Sequence, residues 1–94
     1  MFKDEEKGSF QTLYNFVFSE KNKDKVIKFI YNDGNSIDAI IDTAYETEND
    51  FDESDPRYEE YFAMAFKNLK TNELFEISYH NLPEHAECEN IAIY

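Results

Sequence analysis

Ninety-four residues carrying a net charge of −12 at pH 7 suffice for one hydrophobic core and not for two, and no stretch of loop composition divides them, so one domain spanning 1–94 is expected. Nine Phe and seven Tyr far exceed the aromatic content of a disordered acidic tail, so the chain should fold. The acidity excludes direct binding to nucleic acid or to an anionic membrane, because both depend on Lys and Arg displacing counterions, and no apolar run is long enough to predict a membrane span.

The charge is unevenly placed. Residues 1–32 hold six Lys against five acids, whereas 33–60 hold one Arg against eleven. An imbalance confined to one segment gives the molecule a field with a direction. Scarce Gly, Pro and Trp beside abundant Lys, Asn, Ile, Asp and Glu is the usage of AT-rich bacterial or phage genomes. Met1–Lys7 lacks the apolar stretch of a signal peptide, and Cys88, the single cysteine, can close no intramolecular disulfide. Both features predict a reducing, cytoplasmic setting. The lead 1–8 is read as flexible.

From Ser9 to Asn22, Phe10, Leu13, Tyr14, Val17 and Phe18 recur at helical spacing, with Ser9 as the N-cap after Gly8. An amphipathic helix follows from that spacing, although Thr12, Tyr14, Phe16 and Phe18 also alternate as in a strand. From Lys25 to Glu46 the period becomes two around Asn32-Asp33-Gly34-Asn35, which predicts a hairpin. Pairing Tyr31 with Ile37, Phe29 with Ala39 and Ile27 with Ile41 puts six apolar side chains on one face. That register leaves 33–35 as the loop, with Asn35 left-handed, and turns Lys28, Ile30, Asp38, Ile40 and Asp42 to the other face. The exposed Ile30 and Ile40 then need cover from the helix or another subunit, which leaves the oligomeric state open.

Residues 46–57 are acidic and nearly free of apolar groups apart from Phe51, so a long solvated loop is expected, ending at Pro56. Phe62, Met64 and Phe66 then alternate with Ala63 and Ala65, and Phe75, Ile77 and Tyr79 resume the period after the turn Asn68–Glu73, predicting a second hairpin. A helix over Tyr58–Leu69 is the competing reading, since Glu, Ala, Met and Leu favour helices. Ile91–Tyr94 offers a short closing strand. The fold class expected is α+β, mainly β.

The order helix, strand, Asp-Gly turn, strand, long loop, hairpin and final strand resembles the small Sm-like or SH3-like barrels. The stretch that carries the resemblance is Lys25-Val-Ile-Lys-Phe-Ile-Tyr-Asn-Asp-Gly-Asn-Ser-Ile-Asp-Ala-Ile41, with Ala39 where many such barrels have Gly. The resemblance implies a five-stranded antiparallel barrel behind the helix. The Arg-Gly pair of RNA-binding Sm proteins is absent, so it implies nothing about RNA.

Chemistry finds few footholds. Asp50, Asp52, Ser54, Asp55, Glu59 and Glu60 offer oxygens to calcium, but Arg57 stands at the eighth position of an EF-hand register and Tyr61 where a bidentate Glu belongs. His80, His85 and Cys88 match no zinc spacing. No nucleophile elbow, triad or phosphate-binding glycine loop is present, so no enzyme activity and no cofactor are expected. What remains is a binding surface built from Asp38, Asp42, Glu46, Glu48, Asp50, Phe51, Asp52, Glu53, Asp55, Tyr58, Glu59 and Glu60. Aromatic anchors ringed by carboxylates suit a basic protein surface. The expected partner is a nucleic-acid-binding enzyme inhibited by carboxylates that replace phosphates, as in DNA-mimic and phage anti-defence proteins. The alternative is an immunity or interaction module that recognises one specific protein by shape.

Overall fold

The computed structural model describes residues 2–94. A 3-10 turn at Asp4–Glu6, helix α1 (Ser9–Val17) and a second 3-10 turn at Glu20–Asn22 precede six strands: β1 (Ile27–Ile30), β2 (Ser36–Glu48), β3 (Glu60–Asn68), β4 (Leu74–Ile77), β5 (His85–Cys88) and β6 (Ile91–Ala92). They form one antiparallel sheet in the order β4-β3-β2-β1-β5-β6. The class is α+β and mostly β. The five-stranded barrel implied by resemblance is not formed, because the sheet is open and six-stranded. The reason lies in the last turn: Glu89 and Asn90 both take positive φ, 54° and 65°, between the paired Cys88 and Ile91. A two-residue turn of that hand sends the chain straight back along its own strand. β6 therefore stays on β5, with Ile93 N–H donating to Ala86 O at 2.7 Å, and never reaches β4 at the far edge.

Helix α1 buries Phe10, Leu13 and Val17 against the sheet, while Phe18 is 46% exposed. Gly8, at φ +103°, occupies the N-cap expected for Ser9, which is the first helical residue. The helix stops at Val17 rather than running to Asn22, because Asn22 turns back and its Nδ2 donates to Phe16 O at 3.0 Å. That bond satisfies a carbonyl left open by the helix end.

β1 and β2 make the expected hairpin two residues out of the expected register, with Phe29 opposite Ile37 and Ile27 opposite Ala39. A shift of two preserves which side chains share a face. The loop is Asn32–Gly34, with Gly34 N–H donating to Tyr31 O at 3.0 Å and Tyr31 N–H to Asn35 O at 2.9 Å. Gly34, at φ +89°, takes the left-handed position assigned to Asn35. Glycine has no Cβ to oppose that conformation. Asn35 instead donates from N–H and Nδ2 to the Asp33 carboxylate, both at 2.9 Å.

Residues 60–68 are strand and not helix. Pairing with β2 on one side and β4 on the other overrides the helix propensity of Ala and Met. The core lies between α1 and one face of the sheet, where Ile27, Phe29, Ala39, Met64, Phe66, Ile77, Ala86 and Cys88 meet Phe10, Leu13 and Val17. Phe29 and Phe66 pack edge to face at 4.9 Å.

β2 is longer than its neighbours. β1 covers only Ser36–Ala39, and β4 pairs with β3 only from Met64 to Lys67. Past a bulge between Ile41 and Thr43, the distal halves, Ala44–Glu48 and Glu60–Ala63, continue as a two-stranded arm. The molecule measures 44 × 26 × 22 Å in consequence.

Candidate functional site

The connection between β2 and β3 is residues 49–59, later and shorter than the loop expected at 46–57. Short polar side chains that bond backbone N–H and C=O groups shape it. Asn49 Nδ2 donates to Arg57 O at 2.8 Å, Ser54 N–H to Asp52 Oδ1 at 2.9 Å, and Arg57 N–H to Asp55 Oδ1 at 2.8 Å. The Ser54 bonds hold the Asp52 carboxyl below the ordinary range. The Arg57 guanidinium, bonded to Asp55 through Nε at 3.0 Å and Nη2 at 2.8 Å, does the same for Asp55. Arg57 also lies 4.1 Å over the Phe51 ring. The one cation among residues 33–60 is thus engaged within its own loop.

At the tip of the arm Glu48 stands directly across from Glu60. Tyr58 reaches both, its hydroxyl 2.9 Å from Glu60 Oε2 and in close contact with Glu48 Oε2, and the Glu48 bond followed by desolvation pushes the phenol upward. A phenol has one proton, so at any instant one of the two carboxylates goes without it. Farther down, Tyr45 donates to Glu76, which raises Tyr45 to about 12.

Glu59 belongs to a different cluster on the same arm. Its side chain, 20% exposed, accepts from Lys3 Nζ and the Tyr79 hydroxyl and lies 2.9 Å from His80 Nε2. Burial pushes the Glu59 carboxyl up, but the Lys3, Tyr79 and His80 contacts outweigh it, and the group sits below the usual carboxylate value. Lys3 rests 5.5 Å over the Tyr79 ring, and Tyr61 packs edge-on to His80 at 4.9 Å. Glu6, fully buried, accepts Phe62 N–H at 2.6 Å and Lys3 N–H at 2.9 Å. Phe2 adds a ring 5.1 Å from Phe62. Within the lead 1–8, Phe2, Lys3 and Glu6 thus pack along the arm while Asp4, Glu5 and Lys7 are exposed, and Met1 lies outside the described residues.

The acids named from sequence divide accordingly. Glu46, Glu48, Asp50, Glu53 and Glu60 are exposed and have no ion-pair partner among the described residues. Asp52 and Asp55 hold the loop, and Glu59 holds the Lys3 cluster. Asp42 sits at the bulge. Asp38 is remote: from Asp38 to Glu48 the strand runs roughly 30 Å at about 3.3 Å per residue. Residues 33–60 therefore do not converge on one patch. Nor do the histidines and cysteine gather: His85 and Cys88 point to opposite faces of β5, Cys88 is buried, and His80 is on Glu59. Sequence reading missed Lys3 and Glu6 and considered Tyr79 and His80 only as strand and zinc candidates, because the partners they have on the arm are 20 or more residues away. Only the reach-back spacing of Lys3 and Glu6 left a local trace.

Among the described residues no helix is long and apolar enough to cross a membrane. A family model described as cognate immunity protein YxxD matches residues 10–81, which takes in α1 from its second residue, the first four strands and the whole arm. No curated protein and no solved structure matches the chain.

Proposed function

Since the chain belongs to the YxxD cognate immunity protein family, we propose that it works without catalysis, by binding a partner toxin and holding it inactive. The surface that engages the toxin is the arm, and the observation that carries this reading is its set of carboxylates without an ion-pair partner among the described residues: Glu46, Glu48, Asp50, Glu53 and Glu60 project from a braced hairpin whose Lys3 and Arg57 are taken by Glu59 and Asp55. Glu48 and Glu60 repel each other across the strands, and a Lys or Arg supplied by the toxin relieves that repulsion as it binds. The toxin surface is accordingly basic.

A basic surface that binds nucleic acid is the specific form we favour. One strand alone spaces its same-face carboxylates about 6.7 Å apart against a phosphate every 3.4 Å or so of one DNA strand. Glu46 and Glu48 beside Glu60 of the neighbouring strand make a denser set, while the separation of Asp38 limits it to the arm. The arm thus matches a short cationic groove better than an extended nucleic-acid track.

The test is neutralisation of the cognate toxin in cells and titration of the purified pair at low and moderate salt. Replacing Glu46, Glu48, Asp50, Glu53 and Glu60 by Gln or Asn is expected to abolish neutralisation and to weaken binding at least tenfold. Equal affinity for the neutralised variant, with no salt dependence, rejects the arm as the binding surface. Failure of the unaltered chain to bind or neutralise the toxin rejects the immunity reading.

A further inference from the structure

The two edges of the arm are treated differently. On the β3 edge, the Phe62 N–H left open where β4 ends is taken by the buried Glu6 carboxylate. The β2 edge has no counterpart. β1 stops at Ala39, and among the described residues no backbone or side-chain group from another segment bonds the β2 main chain between Ala44 and Glu48 on that side. The direction of each group follows from the ladder. Asn49 N–H donates to Glu59 O, so Asn49, Thr47 and Tyr45 point their main-chain groups toward β3. Ala44, Glu46 and Glu48 point theirs outward. An open edge of this kind is a template for another strand, and proteins blunt it with charged side chains, Pro, bulges, a covering segment or very short length; here a bulge precedes the stretch and Glu46 and Glu48 are its charges, a guard against like-charged strands that leaves a basic one admissible. This stretch, Ala44-Tyr-Glu-Thr-Glu48, has no Lys or Pro.

We propose that the open β2 edge from Ala44 to Glu48 receives an extended basic segment of the partner toxin, which joins the sheet as an additional strand. The inference rests on the immunity reading for the identity of the partner. Side-chain alternation sets the occupant's chemistry. On one face the incoming strand meets Glu46 and Glu48, and on the other Tyr45 and Thr47, so it alternates Lys or Arg with β-branched or aromatic residues. Charge argues against a second copy in the same place. Antiparallel self-pairing centred on this stretch sets Glu46 against Glu46 in a chain of net charge −12.

The test uses amide hydrogen exchange of the full chain with an eight-residue peptide of alternating Lys and Val. The Ala44, Glu46 and Glu48 amides are expected to slow at least tenfold on saturation, while Tyr45 and Thr47, already in the ladder, stay as they were. The same peptide N-methylated along one edge should give no protection, and a Glu-Val peptide should not bind. Glu46→Pro removes an outward N–H together with the carboxylate, and Glu46→Gln removes the carboxylate alone, so the Pro variant should bind the Lys-Val peptide at least tenfold more weakly than the Gln variant; the N-methylated peptide asks the same question with the chain unaltered. Absence of protection at saturation overturns the proposal, as does equal binding of the N-methylated peptide. Protection that appears without peptide and grows with chain concentration also overturns it, in favour of self-pairing. In the complex with the cognate toxin the same three amides should be protected. A neutralising complex that leaves them exposed sinks the edge and spares the immunity reading, whereas no complex at all sinks that reading.

Discussion

Glu6 is the residue on which the N-terminal lead depends. A carboxylate that is fully buried is tolerable because it accepts two main-chain N–H groups, one of them on an edge strand that has run out of partner. Hydrogen bonds to a charged group contribute about 1.5–3 kcal/mol each, so Glu6→Ala should lower unfolding free energy by about 2 kcal/mol or more, and Glu6→Gln by less, as read from urea melts. Phe29, buried between α1 and the sheet and packed edge-on to Phe66, should cost about 3–5 kcal/mol on truncation to Ala. Glu59 gives a pH signature. Its folded value lies below the ordinary 4.5, so its contribution is complete above that value and is lost as pH falls through 4.5 and below. Glu59→Gln should therefore flatten the acid limb of a melting-temperature profile, and an unchanged limb would show that Lys3, Tyr79 and His80 do not act through it.

At the scale of elements, the hairpins were legible and the sheet was not. The alternation of Phe62, Met64 and Phe66 and the Asp33-Gly34 turn each report a local period or a local backbone demand, and both appear as strands and turn. β5 was missed because His85-Ala-Glu-Cys88 has too little apolar contrast to show a period, and its place depends on pairing with β1, more than fifty residues earlier. Open or closed likewise turned on two residues, Glu89 and Asn90, whose positive φ no pattern of hydrophobicity reveals. The acids were found by counting, but which of them are engaged was invisible, since Asp55 and Glu59 are four residues apart and serve unrelated contacts. The arm itself makes a prediction. Tyr58→Phe removes the one proton shared between Glu48 and Glu60, so the melting temperature should drop at low ionic strength and recover with added salt. A drop that salt does not reverse would mean the hydroxyl acts by packing.

For the whole molecule, a field concentrated on one arm sets how fast a basic partner arrives more than how long it stays. Association with the toxin should slow steeply as salt rises from low to physiological strength, while dissociation changes little; stopped-flow mixing separates the two, and a salt effect confined to dissociation contradicts this account. Shape reinforces charge, because a molecule 44 Å long presents Glu46, Glu48, Asp50, Glu53 and Glu60 together on one projecting arm.

The bond between Glu6 and Phe62 joins residues 56 apart in the chain, and Lys3 depends on Glu59 and Tyr79 in the same way. Contacts of such separation close late in folding, because the loop entropy must be lost before they return anything. Lys3 and Glu6 are thus made before the partners that fix them and are among the last residues to find their places. A nascent chain halted before residue 59 has neither Glu59 nor Phe62, so Lys3 and Glu6 have nothing on the arm to hold until that stretch has been made.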